Sequence, residues 1–198
     1  MRLSILTEGL SFVQRLQLSL MKRLIGHEIG PIAMQSYRPN FFGRAYNDCV
    51  AEALRKTEFW TKAEAELLGA FVSKQNQCSY CSGAHKAIAV RGMPDEVVDA
   101  ALNDWQTAPL REQLKRTLGF LQKLTETPGE ISAADVAPLR DARVNDQGIR
   151  EAVYICFVFC TINRLADAFE FEQPTESSYR RMGFTLYNLG YDMAVLPG

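Results

Sequence analysis

The chain has 198 residues, 47% of them hydrophobic, and its 22 basic and 23 acidic side chains leave a formal net charge of −1. That length and apolar content suffice for one buried core, so a single domain over residues 1–198 is expected. The balanced charge lacks the positive field of a nucleic-acid binder, and no nucleic-acid partner is expected.

At the N-terminus, Leu3, Leu6, Leu10, Val13, Leu16, Leu20 and Leu24 recur three or four positions apart, the spacing of an amphipathic helix. Arg15, Lys22 and Arg23 interrupt the apolar residues, and no uncharged stretch approaches the roughly 18 residues of a membrane span. No membrane partner is therefore expected. A basic, acid-poor polar face is also a property of organelle transit peptides. A cytoplasmic location is the expectation here, with residues 1–30 as an N-terminal helical extension.

Gly26, Gly30, Pro31 and Arg38-Pro39-Asn40 then punctuate a connecting region. Residues 40–56 read as a helix with Phe42, Ala45, Tyr46, Cys49, Val50 and Leu54 on one stripe. Thr61 and Glu64 form a capping box for a helix that runs to about Lys74, and Gln75-Asn76-Gln77 breaks it. A cysteine-bearing helix follows, ending near Gly92, and Pro94 opens a short one to about Leu102. Helical periodicity continues over 110–125, 132–142, 147–171 and 177–191, and alternating strand patterns are absent. The expected fold is all-α, a compact multi-helix bundle. Cys49, Cys156 and Cys160 sit on apolar stripes and are expected to be small core residues. Five cysteines, an odd number spread along the chain, do not suit a secreted disulfide framework.

The segment Cys78-Ser-Tyr-Cys81-Ser-Gly-Ala-His85 carries the chemistry. On a helix, about 100° per residue puts Cys81 about 60° and His85 about 20° from Cys78, all on one side. Thiols three apart can close a short disulfide, and an imidazole one turn later can carry a proton. Both cysteines fall in the first turn, where free amides and the helix dipole favour a thiolate, the reactive form. If the break at 75–77 is a hairpin, Glu66 and His85 lie at depths that agree within roughly 3 Å at ~1.5 Å per residue. The carboxylate can then orient the ring. The same residues admit a zinc reading: Cys78, Cys81 and His85 supply three ligands, with Cys49, Cys156, Cys160 or His27 as a distant fourth. A non-enzymatic redox sensor is equally compatible with these thiols.

The spacing Glu66, Cys78, Cys81, His85 resembles that of the alkyl hydroperoxide reductase D (AhpD)-like proteins of the carboxymuconolactone decarboxylase superfamily. Ala63-Glu-Ala-Glu66-Leu-Leu-Gly-Ala-Phe-Val-Ser and Ile162-Asn-Arg-Leu-Ala-Asp-Ala-Phe169 are similar to segments of its peroxidase-related branch. The resemblance covers roughly residues 35–195 and implies a helical bundle that assembles into trimers or larger rings such as hexamers. It implies hydroperoxide reduction by a dithiol, with Cys81 as the peroxidatic thiol and Cys78 as proton donor and resolving thiol. His85 and Glu66 would be the proton relay. It further implies a lipoyl-bearing or thioredoxin-like electron donor, and neither a cofactor nor a metal. One departure is Tyr80, which stands where well-characterised members carry a second histidine. A phenol with an ordinary pKa near ~10 does not replace imidazole as a proton carrier at neutral pH, although it can donate a hydrogen bond.

Overall fold

The structure is a computed structural model that describes residues 8–191. Among these residues the chain forms ten α-helices and no strand. They are α1 (Phe12–Ile25), α2 (Gly30–Tyr37), α3 (Arg44–Arg55), α4 (Lys62–Gln75) and α5 (Ser79–Ala89), then α6 (Asp95–Asn103), α7 (Glu112–Glu126), α8 (Ala133–Asp141), α9 (Asp146–Ala168) and α10 (Glu176–Leu189). The all-α architecture expected from periodicity is the one the chain adopts.

Local chemistry starts and stops these helices. Thr61 and Glu64 form a reciprocal capping box at α4, as Ser11 and Gln14 do at α1. Asn145 caps α9 through the Gly148 amide at 2.9 Å. The ends of α4, α8 and α9 share one device: Gln77, Arg143 and Glu170 take positive φ, and the next amide reaches back five residues. After α4, Cys78 N donates to Ser73 O and Gln77 N to Lys74 O, both at 2.9 Å, a Schellman motif built without glycine.

α4 and α9 form the centre. Leu67, Leu68, Phe71, Ile155 and Phe159 are fully or almost fully buried there. Gly69 lets the two helices close, because a Cβ at that position would stand 2.2 Å from the Phe159 ring. The buried Glu151 carboxylate of α9 accepts from the amides of Glu58, Phe59 and Trp60, which pins the loop entering α4. On the other side, α10 lies against α5 at Gly183, where a Cβ would meet the Ala87 carbonyl at 2.1 Å.

Three expectations need correction. The connection over residues 26–40 contains α2, whose Ile32, Ala33 and Met34 are buried. Gly30 and Pro31, read as loop punctuation, form its first turn, where a missing amide proton costs nothing. Cys49 is exposed, because α3 buries the face carrying Tyr46, Asn47, Ala51 and Leu54 instead. Cys160 is only half-buried and makes polar contacts. Leu3 and Leu6 lie outside the described residues. In the rest of that stripe, Val13, Leu16, Leu20 and Leu24 are more than half exposed, so α1 carries an uncovered apolar face. Among the described residues no helix is long and apolar enough to cross a membrane.

Candidate functional site

α4 and α5 form the antiparallel hairpin that the break at 75–77 suggested, and Glu66 meets His85 across it. Glu66 Oε2 lies 2.6 Å from His85 Nδ1, with the carboxylate completely buried. Its other oxygen accepts from Arg55 Nη1 at 2.6 Å and from the Tyr191 hydroxyl at 2.9 Å. Burial alone would raise the carboxyl pKa. The His85 ring and the Arg55 guanidinium more than offset that and hold it below the usual carboxylate range. An ionised carboxylate only accepts, so Nδ1 carries the proton and Nε2 is left for exchange with other groups.

Arg55 and Tyr191 escaped the sequence reading. Arg55 ends α3 and anchors itself to the Leu54 and Leu186 carbonyls at 2.8 and 2.9 Å, while its guanidinium stacks over the Tyr191 ring. Neither stands at a diagnostic spacing from the hairpin, because the chain returns to the site only through α3 and the segment after α10.

The thiols are buried more deeply than the polar Ser79, Ser82 and Gly83 suggested: Cys78 is 1% and Cys81 3% exposed. Cys78 is not part of the helix; it caps α5 in extended conformation, and its amide is already used by the Schellman turn. Cys81 lies in the first helical turn, four residues before His85. The neighbouring Cys81 thiol, against burial and Asp167, draws Cys78 below the ordinary thiol range. Cys78, with burial, holds Cys81 above it, although Asn163 acts the other way. The expectation that both thiols are acidified is thus met only at Cys78, since one proton stays between two close sulfurs. Asn163 belongs to the segment Ile162–Phe169 that resembles the peroxidase-related branch.

Cys81 and His85 both line one cavity of about 270 Å³, and Cys78 does not. Its wall is apolar and aromatic, with Tyr46, Tyr80, Ile88 and Phe159, and α1 contributes Leu20, Met21 and Leu24. Phe159 presents its edge to His85 at 4.4 Å between ring centroids. Tyr80 packs against Phe171, and its buried hydroxyl has no hydrogen-bond partner among the described residues. Burial pushes this phenol far above its ordinary pKa, so it stays protonated and keeps a proton to donate.

All five cysteines are free. Among the described residues no group of three or more His, Cys, Asp or Glu side chains is arranged to hold a metal ion. Three of the four proposed fourth zinc ligands are engaged elsewhere: His27 bonds the Glu172 carbonyl at 2.9 Å, and Cys156 and Cys160 face each other; Cys49 is exposed on α3.

The sequence matches no protein-family model and no curated protein. The fold does match solved structures. An uncharacterised peroxidase-related protein from Silicibacter sp. TM1040 superposes with a TM-score of 0.76 at 21% identity, over 89% of this chain and 92% of that one. An alkylhydroperoxidase AhpD core, an uncharacterised peroxidase-related protein from Ralstonia eutropha JMP134, gives 0.73 at 23% identity, over 90% and 92%. The debrominase Bmp8, as a variant in complex with 2,3,4-tribromopyrrole, gives 0.69 at 16% identity, over 86% and 89%. The chain therefore has the AhpD-like fold that these peroxidase-related and debrominase structures share.

Proposed function

We propose that the protein is a dithiol hydroperoxide reductase in which Cys81 attacks, Cys78 resolves, and His85 with Glu66 moves the proton. The observation that carries this reading is the Glu66–His85 contact at 2.6 Å, placed so that its ring and the Cys81 sulfur line one apolar cavity. Through Nε2, the nitrogen left free by the Glu66 bond, His85 takes the Cys81 proton, and the Cys81 sulfur attacks the distal oxygen of ROOH. The O–O bond breaks, the released proton ends on the alkoxide, and ROH leaves. Cys81 is then a sulfenic acid; the Cys78 thiol attacks its sulfur, water leaves and the disulfide closes. The sum is ROOH plus two thiols giving ROH, water and one disulfide. An external dithiol must return the two electrons, and a lipoyl-bearing or thioredoxin-like protein has the chemistry required.

The cavity wall favours organic hydroperoxides over hydrogen peroxide, because it offers apolar surface and only a few polar groups. Tyr80, with its unpartnered hydroxyl, is the donor available to the bound peroxide. The uncovered α1 stripe supports assembly into a homo-oligomer, a trimer or hexamer.

The test is stopped-flow oxidation of the reduced protein by cumene hydroperoxide, followed by thiol counting and turnover with dihydrolipoamide. One equivalent should close one Cys78–Cys81 disulfide, and Cys81→Ser should abolish it. An unchanged rate in Cys81→Ser removes the assignment. A single oxidation without turnover under any dithiol would instead make the protein a redox sensor.

A second reading draws support from the debrominase neighbour and from the aromatic cavity. The same dithiol could reduce a brominated aromatic ring: sulfur takes the bromine, the ring carbon takes a proton, and Cys78 displaces bromide to close the disulfide. Bromide release from tribromopyrrole, measured against peroxide consumption, separates the two.

A further inference from the structure

We propose that Cys156 and Cys160 of α9 form a second peroxide-reactive dithiol, which takes hydroperoxides that carry an apolar chain and a carboxylate. The two sulfurs lie 3.8 Å apart, one helical turn from each other. Cys160 is half-buried and opens on a cleft of about 670 Å³ that is separate from the Cys81 cavity. Phe42, Phe157, Leu165 and Phe169 wall this cleft, and Arg38 and Arg164 add two guanidinium groups. Among the described residues no carboxylate pairs with either arginine. Apolar wall and positive charge together fit an amphipathic anion, for which a carboxylate is the planar match to guanidinium.

The polar contacts of the pair distinguish nucleophile from partner. Asn76 Nδ2 donates to the Cys160 sulfur at 3.5 Å, and Arg164 bonds the Cys160 carbonyl. Cys156 sits deeper, against the Thr125 hydroxyl at 3.6 Å. The hydrogen bond from Cys156, with Asn76 and Arg164, draws the Cys160 thiol below its ordinary range against the effect of burial. Cys160 is therefore the attacking sulfur. It takes the distal oxygen of the hydroperoxide, the alcohol leaves with the thiol's proton, and Cys160 becomes a sulfenic acid. The Cys156 thiol then displaces water from it. Two thiols are oxidised and one peroxide bond is reduced; a dithiol restores the pair. Closing from 3.8 Å to the ~2.05 Å of a disulfide loosens one turn of α9, so the second step is the slower one.

The experiment uses the full chain with Cys78→Ser and Cys81→Ser, which removes the first pair. The reduced protein is treated with linoleic acid hydroperoxide, its methyl ester, or hydrogen peroxide, in the presence of dimedone. Peptide mapping reads each cysteine, with exposed Cys49 as the internal reference. Expected is oxidation of Cys160, as a dimedone adduct or a disulfide to Cys156, at least ten-fold faster than Cys49. The free acid should outpace its ester several-fold, and Arg164→Gln should bring acid and ester together. The same peptides mapped in the wild-type chain report Cys160 separately from Cys81, so the outcome does not depend on the double variant folding. If Cys160 reacts no faster than Cys49, the second dithiol is refuted. If acid and ester react alike in the unaltered cleft, the carboxylate assignment is refuted.

Discussion

Arg55 and His85 grip opposite oxygens of one fully buried carboxylate, each at 2.6 Å, so Glu66 cannot serve the ring without also neutralising the guanidinium. Chemistry and stability are joined at this residue. In Glu66→Gln the Nδ1 proton loses its charged acceptor and Arg55 keeps a charge with no counterion. The single-turnover rate with cumene hydroperoxide should fall about 10²-fold, the scale of a lost acid–base group. Chemical denaturation should show a loss of about 3 kcal/mol, as for one partner removed from a buried pair. Equal rates in variant and wild type would remove Glu66 from the relay.

The same carboxylate makes stability depend on acid pH. Its folded pKa lies below its reference value of 4.5, so its contribution is complete above pH 4.5 and is lost as pH falls through the lower folded value. Glu64, held low by Arg111 and the Thr61 cap against burial, acts with the same sign. Melting temperature should therefore drop on acidification below pH 4.5. The drop should be shallower in Glu66→Gln, which has nothing to protonate there. Thermal melts in a pH series from 3 to 7 check this.

Gln77 holds φ at 60° in the turn that delivers Cys78 to its cap. A side chain there costs roughly 1 kcal/mol that glycine does not incur. Gln77→Gly should leave the Schellman bonds in place and raise stability by about 0.5 kcal/mol, net of the added freedom of the unfolded chain. Denaturant midpoints measure it, and thiol reactivity should be unchanged.

Gly69 touches the site through one intermediary. An added methyl would stand 2.2 Å from Phe159, the ring whose edge packs on His85. Gly69→Ala should cost about 2 kcal/mol by overpacking, and it should also slow Cys81 oxidation as the ring and imidazole shift. Gly183→Ala crowds the Ala87 carbonyl instead and serves as the comparison. It should lose stability with a smaller effect on the thiol rate per unit of destabilisation.

The sequence by itself determined most of the helices, the Thr61 cap, and the hairpin that brings Glu66 to His85. Each depends on neighbours in the chain: Thr61 with Glu64, or equal depths on either side of a three-residue break. The covering of the second helix was legible only after packing, because Gly30 and Pro31 look the same opening a helix as they do in a loop. Arg55 and Tyr191 were not legible, since each reaches Glu66 from a distant part of the chain. Nor were the roles of the remaining cysteines, because helical periodicity gives a stripe and tertiary contact decides which side of it faces water. That contact left Cys49 in solvent and set Cys160 at the floor of a cleft. Spacing along a helix is fixed by covalent geometry, whereas burial and charge pairing are fixed by what the other helices place there.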